Sequence, residues 1–183
     1  MPKVSVPEPN HKLNYLFDTC AISKIAGDDN HTKRLIDSLS HGFRYYKTDC
    51  QDRELRGVPD RSLRYWDESA WKSCEEMNKA LNLLDKVKAE RVSCIATLLH
   101  NFTILDGSMR EPPSKGSGLL SDMVDEIIKG NYKNIRDAVT AEAAVHNNCR
   151  LITSDQRMYR IVNRHFPKNI YKYNEFISKL YSF

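Results

Sequence analysis

The chain has no long hydrophobic run. None of the apolar stretches in its 183 residues approaches the roughly 20 residues that a membrane-spanning helix needs. The first residues, MPKVSVPEPN, have no apolar centre of the kind found in secretory signal peptides. The chain also has no internal repeat and no long low-complexity tract. We therefore expect a cytoplasmic protein that is neither secreted nor inserted in a membrane.

Cysteines are few and scattered. The chain has 5 of them, an odd number, and none forms a CxxC pair. A disulfide framework or a structural zinc site is therefore a poor interpretation, and reduced thiols fit better. The nucleotide-binding patterns GxxxxGKS/T and GxGxxG are also absent, so the sequence does not support the use of ATP or NAD. The sequence Asp18-Thr19-Cys20 lacks the second aspartate of the Asp-x-Asp pattern expected in a haloacid-dehalogenase-type phosphatase.

Charge of one sign is not in large excess. The chain has 28 Lys and Arg residues against 24 Asp and Glu residues, which gives a net charge of +4. This mild excess permits a polyanionic partner without demanding one. Apolar residues make up 40% of the chain, which is enough to bury the core of one domain. We assign residues 1–11 to an extended N-terminal arm and residues 12–183 to a single domain, with a longer helical and loop region at about 60–132.

Apolar patterns along the chain alternate between those of strands and those of helices. A short loop is expected after Asp18, before the first helix. This alternation predicts an α/β domain with a central, mainly parallel sheet. We predict strands over 13–17, 43–48, 150–153 and 169–173, and helices over 31–39, 50–56, 73–89, 119–129, 135–147, 156–165 and 174–181.

Acidic residues follow two predicted strands. Asp18 ends the strand LNYLF and Asp155 ends the strand RLITS, so a parallel sheet brings both to one edge. Asp137 lies in the first turn of the alanine-rich helix that leads into the second of these strands, and Glu54 follows the strand over 43–48. Converging carboxylates repel each other, and a bound divalent cation removes that cost. Oxygen ligands favour Mg²⁺ or Mn²⁺, which activate water for phosphodiester cleavage.

Each acid also has a simpler interpretation. An aspartate at a strand end often caps a turn or a helix, and Asp18 alone is explained as well by capping as by metal binding. Asp137 comes three residues after Asn134, a good helix cap, and complements the positive helix N-terminus. Glu54 lies in a polar stretch where most acids are solvated. The four acids together are less easily explained by capping.

Arginines flank the predicted metal ligands. Arg157, Arg160 and Arg164 are spaced by three and four residues, so a helix presents them on one face beside Asp155. Arg53 and Arg56 lie near Glu54. We interpret both groups as surfaces for an RNA backbone, with a solvated helix face as the alternative. Core packing is favoured for most aromatic side chains that could instead stack on unpaired bases, which are Tyr45, Tyr46, Tyr65, Trp66 and Trp71.

Three segments resemble the motifs of PIN-domain nucleases. Phe17–Ser23 (FDTCAIS) resembles the opening motif, which is a strand followed by Asp-Thr, a small residue and an aliphatic one. Ile135–Ala144 (IRDAVTAEAA) resembles the helix motif, in which Asp-Ala is followed by small residues. Leu151–Asp155 (LITSD) resembles the closing strand motif. Glu54-Leu55 matches the glutamate that follows the second strand of the family.

The resemblance implies a three-layer α/β/α fold and a Mg²⁺- or Mn²⁺-dependent endoribonuclease. It implies that Asp18, Glu54, Asp137 and Asp155 hold the metal, with support from Thr19, Thr153 and Ser154. Many small members are VapC-like toxins held inactive by a cognate antitoxin, and dimers are common. We therefore expect an RNA substrate, an antitoxin partner and a homodimer. Cys20 stands where the family often has serine, and we expect a small buried side chain there rather than a nucleophile.

Other functions fit the same residues. An RNA-processing enzyme or a defence nuclease would have the same motifs, and the sequence does not decide between RNA and DNA. A degenerate domain that binds RNA or a protein without cutting is the alternative from a different class. The chain is also longer than a typical toxin of the family, and its region at about 60–132 carries no family motif.

Overall fold

The computed structural model describes residues 13–56, 75–92, 118–129, 131 and 134–183. Several predictions lie outside these residues. They concern the N-terminal arm at 1–11, most of the region at about 60–132, and the aromatic side chains Tyr65, Trp66 and Trp71.

In the part of the chain that the structure describes, the central sheet has five strands, and every pair of neighbours is parallel. Their order is β3-β2-β1-β4-β5, which places β1 in the middle. β1 and β4 are in register so that Phe17 lies opposite Ile152. The α/β class and the parallel sheet predicted from the sequence are confirmed. The strands are β1 (Leu13–Phe17), β2 (Phe43–Thr48), β3 (Glu90–Val92), β4 (Arg150–Thr153) and β5 (Ile170–Lys172).

Eight α-helices in the described ranges surround this sheet. Two short 3₁₀ helices, Ser38–His41 and Pro167–Asn169, precede β2 and β5. No helix in these ranges is long and apolar enough to cross a membrane. The α-helices are α1 (Thr19–Ala26), α2 (Asp29–Asp37), α3 (Asp49–Leu55), α4 (Glu75–Lys86), α5 (Gly118–Ile128), α6 (Ile135–His146), α7 (Gln156–His165) and α8 (Tyr173–Leu180).

The core lies in two layers, one on each face of the sheet. Alternate side chains of β1 point to opposite faces, so Leu16 packs with the alanines of α6 while Tyr15 and Phe17 pack on the other side. The Tyr15 ring lies 5.0 Å from that of Phe176. Helices cover both faces of the sheet, so the domain is a three-layer α/β/α arrangement. The last three residues of β1, Tyr15 to Phe17, are all buried and apolar for the same reason.

Three local predictions were wrong. The segment after Asp18 is not a loop but α1, whose apolar residues Ile22 and Ile25 are buried. Two buried isoleucines in eight residues gave too short a pattern to stand out. The edge strand β3 was not predicted, because three residues carry little periodicity. Asn134 does not cap α6, since its side-chain amide donates instead to the carbonyl of Ile127 at 3.2 Å.

A buried ion pair fixes the start of α3 against β2. The Lys47 ammonium lies 3.0 Å from Asp52, and their side chains are only 7% and 5% exposed. Arg56 and Arg91 also donate to Asp52, at 2.9 and 3.1 Å. Burial raises the pKa of Asp52, but the hydrogen bonds from Arg56 and Lys47 lower it below its usual range. This cluster sets the position of α3 and therefore of Glu54.

Replacing Asp52 by alanine is expected to lower the free energy of unfolding by about 3 kcal/mol, because the buried Lys47 loses its buried partner and keeps Asp85, at 3.2 Å, whose side chain is 56% exposed. Asp49→Ala is the matched control. Asp49 also pairs with Arg91, at 3.1 Å, but its side chain is 68% exposed. Its loss should cost less than about 1 kcal/mol. Equal losses for the two variants in urea unfolding would show that the buried pair has no special role.

Candidate acidic site

The sheet order brings the predicted ligands to one edge. β1 lies between β2 and β4, so the ends of these three strands are neighbours. Asp18 directly follows β1, Asp155 follows β4 after one residue, and Glu54 lies in the helix that follows β2. The helix before β4 begins near this edge, and its first turn carries Asp137. All four predicted acids therefore come from elements that meet at the carboxyl edge of the sheet.

Asp18 is buried and held by hydrogen bonds. One carboxylate oxygen accepts from the backbone N–H of Ala21 at 2.5 Å, and the other accepts from the Thr153 hydroxyl. The backbone N–H of Ser154 also donates to it. Burial raises the pKa of Asp18, while these hydrogen bonds act in the opposite direction. Asp18 is thus an N-cap of α1 and a member of the acidic cluster at once.

Asp155 is exposed and caps α7. Its Oδ1 accepts from the backbone N–H groups of Arg157 and Met158, at 2.6 and 3.0 Å. Its own N–H donates to the Thr153 hydroxyl at 2.9 Å, and that hydroxyl donates to Asp18. One threonine therefore links the two acids. Because both acids cap helices, the positive N-terminal ends of α1 and α7 face the site, and negative charge is stabilised there.

The pKa of Asp137 shows most clearly that the four acids interact electrostatically. Its pKa is raised to about 6, first by burial and then by Asp155, Asp18 and Glu54. The pKa of the Cys20 thiol is also raised, first by burial and then by Asp18, Asp137 and Glu54. Asp137 therefore shares one electrostatic environment with the other three acids.

Cys20 differs from the prediction, because it is exposed rather than buried. Its position in the first turn of α1, directly after Thr19, places it at the surface beside the acids. The raised pKa favours a protonated thiol, as expected for a residue that is not a nucleophile.

Glu54 has both carboxylate oxygens engaged. Oε2 accepts from the Thr19 hydroxyl at 2.9 Å, and Oε1 lies 3.4 Å from the Arg136 guanidinium. The helix carrying Glu54 is tied to the end of β1, because the Gln51 amide donates to the Phe17 carbonyl at 2.7 Å. The sequence analysis did not single out Arg136 or Gln51. The one available signal was the basic residue directly before Asp137.

The four acids lie at one edge of the sheet, but their carboxylates do not surround a single point as the ligands of a bound metal ion do. Among the residues that the structure describes, no three acidic, histidine or cysteine side chains are arranged to hold an ion. The chemistry of the donors nevertheless fits Mg²⁺ or Mn²⁺. All of them are carboxylate oxygens, and their mutual repulsion is the cost that a divalent cation would relieve.

The predicted arginine face has a partly structural role. The Arg157 guanidinium donates to the carbonyls of Glu126 and Ile127 near the end of α5, at 3.2 and 2.5 Å. Arg164 pairs with the Glu126 carboxylate at 2.7 Å. Arg160 is exposed and donates to the Gln156 carbonyl of its own helix. Two of the three arginines therefore fasten α7 to α5, whereas the hydrogen bond of Arg160 stays within its own helix.

The second basic group lies on α3. Arg53 is exposed, and Arg56 pairs with Asp52 while its side chain stays 45% exposed. Among the aromatic candidates, Tyr45 is buried in the core, as favoured from the sequence. Tyr46 is half-buried and packs against the other core layer.

Comparison with protein-family models, with curated proteins and with solved structures gives no match. The PIN-domain resemblance therefore stays a prediction from the three sequence motifs. The α/β/α architecture is established by the coordinates alone.

Proposed function

We propose that this protein is a divalent-cation-dependent endonuclease that hydrolyses RNA phosphodiester bonds. The observation that carries the proposal is the position of four acids at the carboxyl edge of a parallel sheet, two of them joined through the Thr153 hydroxyl. Carboxylates placed close together repel each other, so their grouping at this edge favours a role in cation binding.

Asp18, Glu54, Asp137 and Asp155 would hold Mg²⁺ or Mn²⁺. Such a cation supplies activation of water and neutralisation of the charge that develops on the phosphate. Thr153 keeps the Asp18 carboxylate oriented, and the cap on α7 does the same for Asp155. One of the carboxylates can accept a proton from the attacking water.

The test is incubation of the purified protein with total cellular RNA and with single-stranded DNA, in Mg²⁺, in Mn²⁺ and in EDTA. Discrete RNA fragments that require the metal would support the proposal and identify the substrate for sequencing. Cleavage of DNA alone would show that the sugar specificity is wrong. Binding of RNA without cleavage would favour the non-catalytic module.

A role as the toxin of a toxin–antitoxin pair is part of this proposal and rests on the motifs alone. An antitoxin that inhibits such an enzyme would cover the acidic edge. Co-purification of an inhibitory protein whose removal restores cleavage would support this role.

Replacing Arg160 by glutamate is expected to weaken RNA binding about three- to tenfold and to reduce the salt slope by about one phosphate contact, because Arg160 is exposed on the face beside Asp155. Lys33→Glu is the matched control, since it reverses a charge on the exposed surface of α2, remote from the acids in sequence. An equal effect of the two variants on affinity and salt slope would mean that the α7 face does not contact RNA.

A further inference from the structure

Arg136 occupies an electrostatically unfavourable place. It is the second residue of α6, where the partial positive charge of a helix N-terminus disfavours a cation. Helix stability therefore does not explain a basic side chain there. Its guanidinium instead lies 3.4 Å from Oε1 of Glu54, a residue 82 positions earlier in the chain. Both side chains are partly buried, with 27% and 23% exposure.

The contact with Arg136 places a positive charge beside Glu54, one of the four acids. Glu54 is the acid on which the Thr19 hydroxyl and the Arg136 guanidinium converge, one on each carboxylate oxygen. A cation that binds the cluster through Glu54 must compete for these oxygens. The 3.4 Å separation is long for a charge-assisted hydrogen bond, so the pair is loose enough to exchange.

We propose that Arg136 is a displaceable counter-ion of Glu54, which it holds until a divalent cation takes its place. This inference rests on the proposed function, because it assumes that the acidic cluster binds a cation. In the metal-free protein the pair lowers the repulsion among the acids. When the cation binds, the Glu54 carboxylate turns to it and the guanidinium is released beside the site. Arg136 is thus a positioning residue that acts through Glu54.

The test is the affinity of the full chain for Mn²⁺ alone, measured by electron paramagnetic resonance and by calorimetry, without RNA. Arg136→Gln is expected to bind Mn²⁺ about two- to fivefold more tightly than the wild type, as a partly exposed ion pair no longer competes. Arg136→Lys keeps the charge and should stay close to the wild type. Arg136→Met also removes the charge and keeps an apolar stem, so it provides the second variant if the glutamine substitution does not fold.

A double-mutant cycle separates this exchange from simple removal of a positive charge. In a Glu54→Gln background, Arg136→Gln should no longer change Mn²⁺ affinity, because its effect passes through the lost carboxylate. The same gain in both backgrounds would overturn the exchange and indicate a general charge effect. Unchanged affinity in Arg136→Gln would overturn the exchange alone. Absence of Mn²⁺ binding in the wild type would overturn both the exchange and the proposed cation site.

Discussion

Asp18→Asn is expected to lower metal-dependent RNA cleavage by more than about 100-fold, since loss of even the hydrogen-bond partners of metal ligands typically costs about 10–100-fold. The fold should persist. Asparagine caps helices as well as aspartate does, so its oxygen can still accept from Ala21. The neutral amide, however, is a much weaker ligand for a hard cation.

Asp28→Asn is the control for this variant. Asp28 caps α2 as Asp18 caps α1, with its Oδ1 accepting from Asn30 and His31 at 2.9 and 3.0 Å. It does not contribute to the raised pKa of Asp137. Asp28→Asn should therefore leave cleavage unchanged. Thr153→Val removes the hydroxyl that donates to Asp18 and accepts from the Asp155 N–H, and it is expected to reduce cleavage about 10–100-fold. Full activity in a folded Asp18→Asn protein would remove Asp18 from the site.

Asp137→Asn is expected to stabilise the metal-free protein while it abolishes cleavage. Raising the pKa of this carboxyl from 3.8 to about 6 costs the folded state up to about 2–3 kcal/mol at neutral pH. The asparagine variant avoids that cost because it carries no charge. Urea unfolding in EDTA at pH 7.5 should show the gain.

The pH dependence identifies the origin of this gain. The folded protein binds the Asp137 proton more tightly than the unfolded chain does. The free energy of unfolding is therefore highest, with respect to this carboxyl, below pH 4. It falls by up to about 2–3 kcal/mol as the pH rises to about 6, and this carboxyl changes it no further above that pH. The advantage of Asp137→Asn should accordingly vanish near pH 4. Asp122→Asn, at an exposed position of α5, should change stability by less than about 0.5 kcal/mol at either pH. A gain that persists at pH 4 would mean that repulsion among the acids is not its cause.

The parts of the site that were predictable depend on strand ends. Asp18 and Asp155 each follow an apolar run, and a parallel sheet places the ends of neighbouring strands together whatever the details of packing. The family resemblance also implied a supporting role for Thr153, which lies two residues before Asp155 in the sequence. The alternation of strand and helix patterns predicted most of the elements in their order, and the family resemblance implied the three-layer arrangement.

The parts that were missed depend on how the helices pack. The contact between Glu54 and Arg136 forms only because α3 and α6 lie side by side, which no local pattern reveals. The seven-residue separation of Arg157 and Arg164, about two helical turns, correctly placed both on one helix face. It did not show that α5 covers part of that face and takes their hydrogen bonds. Local periodicity gives the direction of a side chain but not the neighbour that it meets.

The most direct test of the central claim is anomalous diffraction from a crystal of the protein soaked in MnCl₂. The account predicts one Mn²⁺ peak at the carboxyl edge of the sheet, at a coordination distance of about 2 Å from oxygens of Asp18 and Asp155. It also predicts loss of that peak in a crystal of Asp18→Asn. An ordered acidic edge without a peak, or a peak that the substitution leaves in place, would contradict the assignment of these acids as a single cation site.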